Sequence, residues 1–272
     1  MTQPDVGARE RDEPEAEVRA DGSAANHDHI TAGSASPDSA SPDSASAGSA
    51  SPDRATTDST SPGSARPDSS PADAGQPQLP PGQYIPRTMP VLHYGPIPTF
   101  HAETWDLRIF GATESGAETQ LRWDDVAALP TADITGDFHC VTKFTVPGIS
   151  WSGIPATELL RRYPPKSSVT HVMIWADFGY SANVRISDFA AELTMLATHR
   201  EGERLTPEHG FPLRLVMPHL YAWKSVKWVR AIEYMTADRR GFWEERGYHN
   251  TADPWQEQRY SYQELEGEGP PL

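Results

Sequence analysis

Cysteine is almost missing from this chain, which has 272 residues and a single thiol at Cys140. One cysteine excludes an internal disulfide and any zinc or iron–sulfur site built from several cysteines. The sequence also lacks the Cys-x-x-Cys-His haem motif, the glycine-rich motifs of Rossmann and P-loop proteins and the Gly-x-Ser-x-Gly motif of hydrolases. Haem attachment and those three enzyme classes therefore have little support.

Long apolar runs and basic stretches are missing as well. No segment approaches the roughly 18 consecutive apolar residues that span a bilayer. The first thirty residues show no basic segment followed by an apolar one, no twin-arginine signal and no lipidation cysteine. We therefore expect a cytoplasmic protein without membrane insertion. The net charge of −15 and the lack of a Lys/Arg-rich stripe argue against a nucleic-acid partner.

Large apolar side chains are scarce in residues 1–79, where Ser-Ala-Ser-Pro-Asp recurs at 34–38, 39–43 and 49–53. Such a composition cannot bury enough apolar surface to fold, so we predict a disordered tail. The tail holds 14 acidic and 5 basic residues, a net of −9 out of the total of −15. It is either an interaction arm or a solvated segment with no specific role, and its composition favours the second.

From residue 80 the chain has the composition of a globular protein, and we predict one domain over residues 80–272. Apolar Trp105, Leu107 and Ile109 alternate with polar residues, which predicts a strand at 104–111. A helix is predicted at 154–162, with proline in its first turn. Further strands are predicted at 169–175, 183–186, 193–198, 211–217 and 226–235. Short strands outnumber helices, which indicates a mixed α+β fold.

Three blocks of sequence follow one another in an order that is found in a known protein family. Residues 135–145 read Thr-Gly-Asp-Phe-His-Cys-Val-Thr-Lys-Phe-Thr, residues 209–218 read His-Gly-Phe-Pro-Leu-Arg-Leu-Val-Met-Pro, and residues 221–232 read Tyr-Ala-Trp-Lys-Ser-Val-Lys-Trp-Val-Arg-Ala-Ile. Together they resemble the sulfite oxidase family, especially its small bacterial branch with the catalytic subunits of methionine sulfoxide reductases. The resemblance covers most of residues 88–240. It implies a molybdopterin-binding domain with mixed sheets and short helices, and a molybdenum-molybdopterin cofactor.

Cys140 and Arg214 carry the strongest chemical predictions. A thiolate is a soft ligand, suited to a metal already held by sulfur, and the resemblance implies that Cys140 is the catalytic molybdenum ligand. Without it, a lone cysteine is more often a small buried apolar residue. Arg214 interrupts an apolar strand, and alternation alone allows either a solvent-facing arginine or a buried one with an anionic partner. The resemblance implies a contact with the pterin phosphate.

The resemblance implies further cofactor-binding residues on three segments: His93, Tyr94, His209, Ser225, Val226 and Lys227. Ser225 stands where relatives usually have glycine. The alternative for each histidine is an ordinary surface or core residue. The alternative for Lys227 is an exposed lysine on a strand. We predict that Lys224 is such an exposed lysine, and we expect Trp223 to lie beside the site.

The function implied by the resemblance is the transfer of an oxygen atom between water and a small substrate. Sulfite oxidation and the reduction of S- or N-oxides both fit. Electrons must pass to or from a separate partner or carrier, because the chain has no haem motif. Phe178, Tyr180 and Arg185 are candidates for a substrate funnel, although a packed turn and a surface arginine explain them equally well. The alternative is a non-catalytic cofactor-binding or interaction module that works through its acidic tail.

Quaternary structure follows from length. Sulfite oxidases proper add a dimerisation domain after the cofactor domain, and only about 35 residues follow Met235 here. We therefore expect a monomer.

Overall fold

The computed structural model describes residues 78–272, so the predicted disordered tail lies outside the described residues except at its last two positions. Ten strands and three short helices form in this part of the chain, in line with the α+β prediction. The strands are β1 (Asp106–Gly111), β2 (Thr119–Arg122), β3 (Ala132–His139), β4 (Thr145–Pro155), β5 (His171–Ala176), β6 (Ser181–Arg185), β7 (Met195–Arg200), β8 (Glu203–Arg204), β9 (Arg214–Val216) and β10 (Val229–Met235). The helices are α1 (Trp123–Ala127), α2 (Ala156–Arg162) and α3 (Ile186–Phe189).

The first sheet has the strand order β2-β1-β10-β5-β6. Only the central pair β1 and β10 runs parallel, and the other pairs are antiparallel. The alternation predicted for β1 is confirmed, because Trp105, Leu107 and Ile109 are buried while the intervening Arg108 is exposed. None of the helices in residues 78–272 is long and apolar enough to cross a membrane.

The second sheet has the order β3-β4-β7-β8, and β9 also pairs with β7. Backbones come unusually close where β4 pairs with β7: a Cβ added at Gly153 would overlap the carbonyl oxygen of Leu196. Apolar side chains from both sheets form one continuous core, with Leu107 and Ile232 from the first sheet and Leu196 and Leu215 from the second. A smaller apolar cluster on the second sheet includes Cys140.

Several boundaries differ from the prediction. The β3–β4 hairpin, which carries Cys140, is missing from the predicted strands because bulges at Gly136 and Gly153 shift its in-and-out alternation. Helix α2 begins only at Ala156, since β4 continues through Pro155. Strand β10 begins at Val229, which leaves Lys227 in the bend before it.

Candidate active site

A cavity of about 230 Å³ lies where four segments of the domain meet. These segments are residues 89–94, the loop after β3, the turn before β9 together with β9, and residues 222–228. All eight predicted site residues line the cavity: His93, Tyr94, Cys140, His209, Arg214, Ser225, Val226 and Lys227. The fold therefore brings together residues that are far apart in sequence, although their roles toward a cofactor remain predictions.

Cys140 is the first residue after β3, in the tight loop that leads into β4. Only 7% of it is exposed. Its backbone N–H donates to the carbonyl of Phe144 at 2.8 Å, and its own carbonyl accepts from the N–H of Lys143 at 3.0 Å and from Nε2 of Gln83 at 3.1 Å. These bonds fix the backbone that carries the thiol beside the cavity.

Arg214 is buried, with 1% of its surface exposed, so the solvent-facing alternative is wrong. Within residues 78–272 its guanidinium hydrogen-bonds only to backbone carbonyls, among them those of His209 at 3.1 Å and Ser225 at 3.2 Å. Burial, followed by the nearby charge of Arg200, lowers the pKa of Arg214 to about 9. A buried cation whose partners are all neutral is costly unless an anion joins it.

Lys227 faces the same cavity as Arg214. Its ammonium donates to the carbonyls of Leu92 at 2.8 Å and Glu208 at 2.6 Å. Burial, followed by the nearby charge of Arg214, lowers the pKa of Lys227 to about 7. Two cations thus lie close enough to oppose each other's charge, and both would be stabilised by one bound anion.

His209 completes this group as a neutral side chain. Burial, assisted by the charges of Arg200, Lys227 and Arg214, lowers the pKa of His209 to about 4. Its Nδ1 lies 2.9 Å from the hydroxyl of Thr206. Its Nε2 is buried and has no hydrogen-bond partner within residues 78–272. Neither neighbouring cation, Arg214 or Lys227, pairs with a carboxylate in the described part of the chain. In the tautomer that carries its proton on Nε2, His209 can donate to the same anion, so the group fits a phosphate.

Arg200 is a residue that the sequence reasoning missed. It ends β7, and its charge lowers the pKa of His209, Arg214 and Lys227 alike. Its Nη1 donates to the sulfur of Met89 at 2.9 Å, and a thioether is a weak acceptor. No motif marks Arg200 in the sequence, because only the pairing of β7 with β9 brings it near Arg214.

The remaining walls of the cavity are largely aromatic. Trp223 lines it as expected, and its indole N–H donates to Oε1 of Glu244 at 2.8 Å. The Tyr180 hydroxyl donates to the Trp223 carbonyl at 2.6 Å. Of the other funnel candidates, Phe178 lies exposed in a turn and Arg185 binds the Thr251 hydroxyl, and neither lines the cavity. Tyr180 is thus the funnel candidate that the geometry supports.

The prediction for Lys224 is wrong. This residue lies in a 3-10 turn at 222–224 and is completely buried, where an exposed strand lysine was expected. Its ammonium pairs with Glu244 at 2.7 Å and donates to the carbonyls of Asn183 and Asn250. The turn directs this side chain into the interior, where a carboxylate and two carbonyls satisfy its charge.

His93, Tyr94 and Ser225 each have different neighbours around the cavity. His93 lies at the surface with its ring edge on Trp228, at a centroid distance of 5.5 Å, and Tyr94 packs against Phe242 at 4.3 Å. Ser225 is buried, and its hydroxyl accepts from the backbone N–H of Met217 at 3.0 Å. Ser225 therefore binds the backbone of the residue that directly follows β9.

Comparison with known proteins gives a consistent result. Residues 94–243 match the family model described as "Oxidoreductase molybdopterin binding domain". The chain is 40% identical over 186 residues to "Uncharacterized oxidoreductase YuiH" of Bacillus subtilis, which covers 68% of this chain and 93% of that protein. It is 24% identical to the "Protein-methionine-sulfoxide reductase catalytic subunit MsrP" of Campylobacter jejuni, over 57% of this chain and 59% of that protein. It is 26% identical to the "Nitrate reductase [NADH]" of Cichorium intybus, over 56% of this chain and 20% of that protein.

Proposed function

Because this chain belongs to the sulfite oxidase family of molybdopterin-dependent oxidoreductases, we propose that it reduces the S- or N-oxide of a small neutral molecule. Its cofactor is molybdenum-molybdopterin, which supplies two-electron oxygen-atom exchange when it is bound. For a sulfoxide, the oxide takes up two electrons and two protons and yields a thioether and water. The electrons come from a separate donor, since the sequence has no haem motif.

Cys140 is proposed as the molybdenum ligand. The thiol lines the cavity on a loop held by backbone bonds to Phe144 and Lys143. As a thiolate it is a soft donor that complements the sulfur ligands of the pterin. A ligand on a rigid loop loses little conformational entropy when it binds, so the loop favours a fixed metal position.

The group of Arg214, Lys227 and His209 is proposed to hold the phosphate of the pterin. The guanidinium and the ammonium donate to phosphate oxygens, and the negative charge of the phosphate compensates the buried positive charge. The neutral His209 has a ring nitrogen at the same place that no group of residues 78–272 hydrogen-bonds. Phosphate anchoring is thereby separated from metal ligation, which depends on the cysteine.

The observation that supports a neutral substrate is the charge of the cavity wall. Among residues 78–272, Arg214 and Lys227 are the only lysine or arginine side chains that line the cavity, and both belong to the proposed phosphate group. The Cys140 loop contributes Thr142 to the cavity wall, and its Val141 packs in one apolar cluster with Trp223 and Tyr248, whose uncharged rings also line the cavity. Sulfite and nitrate are anions and need cationic donors of their own, whereas aromatic walls suit a neutral oxide with apolar groups.

The test is a substrate screen on protein produced in a host that makes the cofactor. Elemental analysis first establishes the molybdenum content per chain. Dimethyl sulfoxide, methionine sulfoxide and trimethylamine N-oxide are then offered with a reduced dye, nitrate with the same dye, and sulfite with an oxidised mediator. We expect turnover of the neutral oxides. Turnover of sulfite or nitrate alone would refute the proposal for a neutral substrate, and protein without molybdenum would refute the whole assignment.

A further inference from the structure

The sulfur of Cys140 has one hydrogen-bond donor within residues 78–272, the hydroxyl of Thr142, at 3.2 Å. Thr142 lies two positions further along the loop and also lines the cavity. We propose that this hydroxyl sets the electron-donating strength of the Cys140 thiolate, and thereby the reduction potential of the bound molybdenum. The inference rests on the proposed role of Cys140 as the metal ligand.

The loop holds this donor in place through contacts from both ends of the domain. The carbonyl of Cys140 accepts from Nε2 of Gln83, before the first strand. The carbonyl of Val141 accepts from Nη1 of Arg259, a buried residue beyond the last strand. Lys143 has a positive φ of 74° and closes the turn onto Cys140. With the residues on each side of it anchored, Thr142 has a backbone position set by the fold.

A hydrogen bond to a ligating sulfur draws electron density away from it. The metal then receives less charge from the thiolate, so its reduced state becomes more favourable and its potential rises. Hydrogen bonds to sulfur and other contacts behind the ligands tune metal centres in this way. Thr142 itself is exposed, whereas the Cys140 sulfur is buried. Replacing Thr142 should therefore change the sulfur without disturbing the core.

The experiment compares Thr142→Val with Thr142→Ser in the cofactor-loaded enzyme. Valine has nearly the shape of threonine and no donor, while serine keeps the hydroxyl. The potential is measured by a redox titration that follows the molybdenum EPR signal. We expect Thr142→Val to shift the potential to more negative values, by up to about tenfold in the one-electron equilibrium, or ~59 mV. Thr142→Ser should keep the wild-type potential.

Three outcomes would overturn the inference. The potential of Thr142→Val could equal that of wild type, as when solvent supplies the same bond. Both variants could shift alike, which would point to side-chain size. Thr142→Val alone could fail to hold molybdenum, which would make the hydroxyl an assembly determinant. A wild-type EPR signal that persists in Cys140→Ser would instead contradict the ligand role of Cys140, so the two failures are distinguishable.

Discussion

Lys224 and Glu244 form an ion pair of 2.7 Å in which neither side chain is exposed to solvent. The same carboxylate oxygen accepts the indole N–H of Trp223, a wall of the cavity. Lys224 in turn donates to the carbonyls of Asn183 on β6 and Asn250 near the C-terminus. The pair therefore connects the cavity wall to the interior of the domain.

Removing one member of this ion pair should lower the stability of the fold. Glu244→Ala leaves the Lys224 ammonium buried without its counter-ion, and we expect a loss of about 3–5 kcal/mol in the free energy of unfolding. The matched control is Glu245→Ala, whose side chain is 63% exposed and which should cost no more than about 0.5 kcal/mol. Urea denaturation measures both. Equal stabilities of the two variants would show that the ion pair contributes little.

The ligand role of Cys140 is tested by Cys140→Ser. A hydroxyl is a harder and much less acidic ligand than a thiol, so it should not reproduce the sulfur donor. We expect turnover to fall by orders of magnitude while the fold survives and much of the pterin is retained through Arg214 and Lys227. Activity is measured per molybdenum atom in cofactor-loaded protein. Full activity would remove Cys140 from the proposed mechanism.

Replacement of Arg214 should have the opposite effect from Cys140→Ser: the protein should lose its cofactor first, and activity should fall as a result. Arg214→Ala leaves phosphate oxygens without their donor, a penalty of roughly 1–3 kcal/mol for each unmet bond. Pterin and molybdenum contents of the purified protein should fall together. Arg161→Ala removes an arginine that is 66% exposed and should leave both contents unchanged. A normal cofactor content in Arg214→Ala would contradict the phosphate assignment.

Anion binding by the cofactor-free protein should depend on pH through Lys227. The pKa of this ammonium is lowered to about 7, so it is charged below that pH and neutral above it. Affinity for sulfate, whose charge is constant in this range, should therefore weaken as pH rises from 6 to 8, by up to about tenfold per unit above the pKa. Lys227→Arg keeps its charge and should abolish the dependence.

Calorimetry at several pH values measures this effect. A sulfate affinity that stays constant with pH in the wild-type protein would mean that Lys227 is not part of the anion site. A pH dependence of equal size in Lys227→Arg would assign the titration to another group.

Local sequence was sufficient to predict the family and part of the fold. The segment around Cys140 and the two later blocks indicated the molybdopterin domain that the family match confirms. The alternation of Trp105, Leu107 and Ile109 predicted β1, because side chains along a strand point to opposite faces in turn. The β3–β4 hairpin escaped this rule, since its bulges break the alternation.

Burial and proximity were decided by the tertiary structure alone. Lys224 and Lys227 are three positions apart and look alike in sequence, yet one is neutralised by Glu244 and the other lines the cavity. Arg200 has no motif and joins the cationic group through strand pairing. Sequence determines which chemical groups are present and how they alternate locally. The pKa of each cation depends on which distant groups the fold places against it, because charge interactions and burial act through space.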